Sequence, residues 1–443
     1  MTHTAIIGAG LSGLSAAYDL GRQGTRVTLI ESASEIGGLA SSRLIDGVPV
    51  EHFYHFICGP DSDLIALTRE LGIGQRLHWV QSRTSFYYHG QMYGFGTPFD
   101  LLFFQPVPFL QRIRFGLNVM ASRYRKEWMS LDGVGAKRWL IEQIGQGAYD
   151  VIWDPLLRVK FGDYHDTISA AWIWHRINRV AASRRVIWER EHLGYLERGS
   201  ETVIEALAEK LRAMPGVTIK TSARVERIES ADGHVTGLRL VGGETLACDA
   251  VISTAALTPL AKIAPDLPEE YRQKIEAIEY IGVVCGLLKL RRPISDSFWV
   301  NINDPNIPFN GIIEYTNLNL HLREALGGKS IAYIPYYLRT DTPRFSYSDE
   351  QLRREFIAGI QRVNPDISEA DIEECHIGRA PYAQAICTVG FARQVPDHRT
   401  PLRGLYITDS TQFYPEDRTI SAAIRLGRRA ASLLMQDMPE QPS

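Results

Sequence analysis

A chain of 443 residues, 45 % apolar and 22 % charged, has the composition of a globular protein with core enough for two or three domains. Its formal net charge of −3 supplies no field that would draw it to nucleic acid, and no apolar run approaches the ~18 residues that a membrane span requires. The five cysteines (Cys58, Cys248, Cys285, Cys375, Cys387) show neither a C-x-x-C pair nor zinc-ligand spacing with histidine, so no metal site is expected and reduced thiols in a cytoplasm are.

The N-terminal stretch carries the sharpest signal. Ala5 to Ile7 reads as a short apolar strand, Leu14 to Gly21 as a helix, and Arg26 to Ile30 as a second strand that ends on Glu31. Gly8, Gly10 and Gly13 follow the first strand at G-x-G-x-x-G spacing. Gly8 permits the tight turn, Gly10 lets a pyrophosphate approach the backbone, and Gly13 lets the helix lie close to the strand. Leu11 and Ser12 open the helix, whose free N–H groups and positive dipole end suit phosphate. Glu31, with Ser32 beside it, stands where a carboxylate accepts hydrogen bonds from ribose hydroxyls and repels a 2′-phosphate. A dinucleotide unit that begins at residue 4 leaves no room for a signal peptide ahead of it.

Next the pattern turns aromatic, in Glu51-His52-Phe53-Tyr54-His55-Phe56. Imidazole titrates near neutrality, so His52 and His55 are either proton-transfer groups or partners of core backbone. Residues 62–72 read as a helix, and the stretch from about Phe86 to Tyr195 as mostly helical. Within it, Phe99 to Phe109 carries one charge. After Pro108 a helix sets Phe109, Leu110, Ile113, Leu117, Met120, Ala121, Tyr124 and Trp128 along one side, with Arg112, Arg114, Arg123, Arg125 and Lys126 around the rest. An apolar loop before a basic amphipathic helix is the pattern of an interfacial anchor. Residues 99–126 are therefore expected either to touch a membrane peripherally or to bury that face in the protein. Further on, Arg158, Lys160 and Arg176 stand among Leu156, Leu157, Phe161, Trp172 and Trp174. Such cations either clamp an anionic ligand or pair with acids such as Asp154, Asp163 and Glu189.

Regular alternation then returns. Glu201 to Met214 predicts a helix, Val217 to Ile219 and Arg224 to Ile228 strands, and Val235 to Leu240 with Glu244 to Leu246 a meander turned at Gly242-Gly243. Asp249 to Thr254 is a buried strand, and 282–290 and 330–338 belong to a second sheet. Gly404 to Asp409 is a strand ending on an acid, and the helix from Ile420 to Met435 follows it; the tail from Asp437 reads as disordered. The expected fold is α/β. A Rossmann-like nucleotide-binding domain, parallel sheet plus β-meander, draws on residues 1–85, 196–280 and 385–443, and an inserted α+β substrate domain on 86–195 and 281–384.

Four places in this layout resemble the FAD-dependent amine oxidase superfamily, which includes protoporphyrinogen oxidases, phytoene desaturases and, more distantly, UDP-galactopyranose mutases. They are the dinucleotide unit; Glu35 to Ser42, similar to the family's Gly-Gly stretch; Thr221 to Ile228 with Asp249 to Thr254; and Asp409 with Arg418 to Gly427. The resemblance implies that Gly38, Leu39 and Ala40 offer backbone N–H groups to the cofactor and that Val225 meets the adenine through its backbone. It adds Thr254 and Asp409 to the cofactor site, with Asp409 on the ribityl or phosphate region, and aims the helix start at Ile420 and Ser421 toward the flavin pyrimidine. FAD would be held non-covalently, since no cysteine lies between Asp409 and Gly427, where the family forms its thioether. Many amine oxidases place a lysine on the strand before a Phe-Trp pair. The comparable stretch here runs from Gly282 to Lys289 before Phe298-Trp299, the lysine position falls on Gly286, and Lys289 faces the other way.

The resemblance therefore implies the desaturase and protoporphyrinogen oxidase branch. Hydride would move to or from a carbon of a hydrophobic or amphiphilic, isoprenoid- or glycolipid-like substrate, with or without a phosphate head. Tyr54, Arg158, Lys160 and Arg176 would meet that substrate, and His52 and His55 would handle protons. Two other readings stay open: a non-redox flavin mutase or isomerase acting on a nucleotide sugar or lipid-linked sugar, and a non-catalytic FAD-binding protein.

Overall fold

Short apolar runs build the first sheet. A computed structural model describes residues 2–184, 186 and 188–438. Five parallel strands lie in the order Val217–Lys220, Arg26–Ile30, His3–Ile7, Ala250–Ser253 and Leu405–Ile407. Ile6 is paired with Leu29 on one side and Ile252 on the other, and Ile252 in turn with Tyr406. All four are buried, which is why these strands read as unbroken apolar runs. The chain leaves His3–Ile7 through the helix Leu11–Arg22 to reach one neighbour, and returns to the other only at residue 250. That reversal opens a crevice at the carboxyl ends of the strands, where parallel sheets bind ligands. The first helix and the last, Ile420–Asp437, pack so closely that a Cβ on Gly427 would stand 2.0 Å from the Ser12 backbone oxygen.

Val225–Ala231, His234–Leu240 and Thr245–Ala247 form the antiparallel meander. A second sheet has seven strands in the order Ile372–Ala385, Tyr280–Leu290, Ser330–Leu338, Gly311–Glu314, Trp299–Asn303, Thr84–Tyr88 and Gln91–Gly94. Two of these strands fall at the start of the stretch expected to be mostly helical. Phe86, Tyr87 and Tyr88 favour a pleated, half-buried surface, and His89 (φ 45°) and Gly90 (φ 83°) supply the two left-handed residues of a tight hairpin. Beyond them helices do dominate, among them Pro98–Leu102, Phe109–Ser122, Asp154–Phe161 and Ala170–Ala182. Asp437, where disorder was expected to begin, ends the last helix and holds Arg399 at 2.7 Å; residues 439–443 lie outside the described ones. No described helix is long and apolar enough to cross a membrane.

Candidate functional site

A cavity of about 800 Å³ runs from the crevice of the parallel sheet to the second sheet and the helices of the 98–184 region. Gly8, Gly10, Leu11, Ser12, Glu31, Gly38, Leu39, Ala40, Thr254, Asp409 and Ile420 line its nucleotide end. A Cβ on Gly10 would meet nothing nearer than the Gly38 Cα, 3.9 Å away, so the backbone there borders open space. No side chain caps the first helix and no acid stands in its first turn, which leaves its leading N–H groups for a phosphate. Glu31 is fixed at the rim: its Oε2 accepts the Ala9 N–H at 2.8 Å and its Oε1 the Ala33 N–H at 2.9 Å. Thr254 donates to the Ile7 carbonyl at 2.9 Å. Asp409 accepts the Tyr280 hydroxyl and the Thr411 N–H, each at 2.8 Å, and burial pushes its carboxyl up. These groups fit a flavin dinucleotide.

The other end is aromatic and basic. Tyr54 and Tyr337 share a hydroxyl–hydroxyl hydrogen bond of 3.1 Å, and Arg418 donates to Tyr337 at 2.9 Å and to the Ala383 carbonyl at 3.0 Å. Arg176 pairs with Asp417 at 2.7 Å, and Arg179 with Asp61 at 3.0 Å. Burial raises the Asp417 carboxyl, but Lys160, Arg176, Arg418 and Arg179 outweigh it and hold the group well below the usual carboxylate range. Lys160 is different. It is 5 % exposed, with its Nζ 4.7 Å from the ring centroids of both Trp172 and Tyr337. Among the described residues it makes no salt bridge or hydrogen bond. Burial lowers its pKa from 10.5 to about 7 against the pull of Asp417.

Several expectations are corrected. Arg158 points outward from its helix and pairs with Asp154 one turn back, at 2.6 Å, so it is not in the cavity. His52 lies off the cavity wall, where burial and the nearby Arg43 guanidinium lower its pKa; His55 does line the wall, with its Nδ1 3.2 Å from Glu51 Oε1. Ser421 turns away and accepts the Asp63 and Leu64 N–H groups, capping the helix Ser62–Glu70. Gly13 does what its place in the motif implied and packs the helix on the strand, since a Cβ there would stand 1.9 Å from the Gly8 oxygen; it is not on the cavity wall with the other cofactor-site residues. Ser32 is exposed, with its hydroxyl directed to Glu31, and Val225 sits in the meander off the cavity wall. On the strand Tyr280–Leu290 the cavity-facing residues are Val283 and Cys285, while Gly286 faces the Phe356 ring. Lys289 is held by Asp46, Glu373 and Glu374, so the lysine that reaches the cavity is Lys160, from another element. Tyr337 and Asp417 went unmarked in the sequence; the one signal was that Asp417 adjoins the Arg418 motif.

The family model for flavin-containing amine oxidoreductases matches residues 11–435. A 15-cis-phytoene desaturase of Arabidopsis thaliana is 21 % identical, with 98 % of this chain and 80 % of that protein covered. Among solved structures, reduced UDP-galactopyranose mutase superposes with a TM-score of 0.77 at 17 % identity, covering 99 % of this chain and 97 % of that one. A candidate protoporphyrinogen oxidase from Exiguobacterium sp. 255-15 gives 0.75 at 16 % identity, covering 98 % and 99 %. These likenesses speak for the fold. The match over nearly the whole length identifies the protein itself: it belongs to the flavin-containing amine oxidoreductase family and is an FAD-dependent oxidoreductase.

Proposed function

We propose that this oxidoreductase moves hydride to or from a carbon of a hydrophobic or amphiphilic substrate that carries an anionic group. The observation that carries the reading is the cavity that joins the nucleotide cradle to an apolar wall bearing Lys160, whose amine has no hydrogen-bond acceptor or salt-bridge partner among the described residues. Bound FAD would supply the hydride acceptor or donor. Lys160 and the Arg418–Tyr337–Tyr54 chain would orient the anionic group, and the aromatic rings would exclude water. His55, held by Glu51, would keep its Nε2 for a proton on the cavity side. The phytoene desaturase relative favours an isoprenoid-like substrate.

A second reading, a mutase or isomerase acting on a nucleotide or lipid-linked sugar, is favoured by the same His55–Glu51 pair and by the mutase likeness. Anaerobic incubation with phytoene, protoporphyrinogen and UDP-galactopyranose separates the two. Stoichiometric flavin and substrate redox change supports the first reading. Turnover that requires prior dithionite and leaves the substrate's oxidation state unchanged replaces it with the second. No turnover on any of them leaves a flavin-binding protein.

The purified protein should be yellow, and heat-denatured supernatant should release its FAD. The two thiols on the cavity wall, Cys58 and Cys285, are both pushed up by burial, Cys58 to about 11, and so stay protonated and unreactive at neutral pH. Flavin that stays with the precipitate would contradict non-covalent binding. Glu31→Ala should weaken FAD retention by about 1–3 kcal/mol, the worth of a charge-assisted hydrogen bond. Equilibrium dialysis checks this, and unchanged affinity would remove Glu31 from the ribose site.

A further inference from the structure

The helix Phe109–Ser122 has two unlike faces. Leu110, Ile113, Leu117 and Met120 are exposed along one side, Leu110 by 72 %, and Tyr124 continues the row at 81 %. Beside them Phe103 is 73 % exposed and Phe99 64 %. Scattered apolar side chains are ordinary on a protein surface, but a continuous row with no covering element is not. The opposite face is seated: Phe115, Asn118 and Ser122 are buried. Gly116 and Val119, between the two, line the cavity with Phe115 of the seated face and Met120 of the exposed row, together with Leu101 and Val180 from the neighbouring helices. Met120 thus belongs both to the exposed row and to the cavity wall.

Charge around the row is predominantly positive, five cations against Asp100 and Glu127. Arg112 and Arg114 donate to the backbone carbonyls of Leu102, Val107, Glu142 and Gln143, which leaves their charge unneutralised. Arg123, Arg125 and Lys126 are exposed and form no carboxylate pair among the described residues. The two acids of the stretch are engaged locally, Asp100 with Gly96, Thr97 and its helix cap, and Glu127 with Ser130. An apolar row framed by unpaired cations complements a surface that is apolar below and anionic above.

We propose that this face seats on an anionic lipid surface, and that the cavity opens onto it between the helices Pro98–Leu102, Phe109–Ser122 and Ala170–Ala182, so that an apolar substrate passes sideways from lipid to flavin. The docking stands on the surface alone; only the identity of what passes rests on the functional reading above.

The test is flotation of the holoenzyme with vesicles of phosphatidylcholine, with and without phosphatidylglycerol, at low and high salt. Wild type should float with the anionic vesicles at low salt and be released by high salt. Leu110→Ser with Leu117→Ser, both exposed, should keep flavin and melting temperature while losing more than about tenfold in partitioning. Arg123→Gln with Lys126→Gln should lose roughly thirtyfold. For orientation, an environment-sensitive dye on Leu110→Cys, a position 72 % exposed, should shift to the blue on anionic vesicles, and the same dye on Leu44→Cys, at 70 %, should not. Equal behaviour on neutral and anionic vesicles, flotation unchanged by the variants, or shifts at both dye positions would overturn the docking face. A dimer that the leucine variants dissolve, without vesicle binding, would give the face to a second copy of the chain. Yellow protein that does not float sinks the docking and leaves the flavin reading standing; floating protein without flavin does the reverse.

Discussion

Gly10→Val should give a folded protein that purifies without its flavin, whereas Gly13→Val should give little folded protein at all. The two glycines belong to one motif and differ by three positions, yet they face different things. Gly10 has extended dihedrals (φ −71°, ψ 177°) that valine adopts readily, and a Cβ there borders open cavity. Its added methyls would occupy the space of the pyrophosphate and cost two charge-assisted backbone hydrogen bonds, about 3 kcal/mol or roughly a hundredfold in FAD affinity. At Gly13 the new Cβ would stand 1.9 Å from the Gly8 oxygen and 3.4 Å from Ile6. The first helix would have to leave the sheet, at a cost of about 3 kcal/mol or more. Visible flavin absorbance relative to protein absorbance, read beside a circular-dichroism melt, separates the outcomes. A yellow Gly10→Val protein would take that glycine out of the cofactor cradle. A Gly13→Val protein as stable as wild type would refute the close helix–strand packing.

How much of the site was legible depended on how local its logic is. The dinucleotide unit is contiguous in the chain, strand, glycine turn, helix and second strand following one another, so its elements could be read directly. The cations required knowing which way a helix faces. Arg158 and Lys160 are two residues apart on Asp154–Phe161, which sets them on opposite sides. The buried set Leu157, Lys160 and Phe161 follows the i, i+3, i+4 pattern of an inward face, so the spacing could have separated the two. Ser421 failed for the same reason: one step past Ile420 the helix has turned, and the hydroxyl caps a different helix. Tyr337 left no local trace. It reaches the cavity because the strand Ser330–Leu338 crosses the second sheet beside Tyr280–Leu290, a pairing set by residues far apart in the chain. The exposed row on Phe109–Ser122 was visible as a pattern, but only the packing decided which way it turned.

Lys160→Met should raise the melting temperature near neutral pH, and the gain should fade as pH rises. The folded chain holds this ammonium among Phe161, Trp172 and Tyr337 with no acceptor among the described residues, at a pKa of about 7 against an ordinary 10.5. Below pH 7 both folded and unfolded chains carry the proton, and the full cost of burying the charge stands. Between pH 7 and 10.5 the unfolded chain keeps a proton that the folded chain has released, so stability rises with pH. Above that window neither form is charged and the penalty is gone. The gap between the two pKa values corresponds to a penalty on the order of 5 kcal/mol. Methionine fills a similar volume with a group that suits aromatic walls. Asp417 is not orphaned by the change, because Arg176 holds it at 2.7 Å and Arg418 stands beside it in the chain. The variant should therefore melt on the order of 5 °C higher at neutral pH and converge on wild type near pH 10. The same substitution should raise the substrate's KM and leave the flavin spectrum intact. A side chain that destabilises its own fold persists where it has work to do. If the variant melts lower than wild type at every pH, Lys160 is a structural partner of Asp417, and the anionic group of the substrate must be held elsewhere.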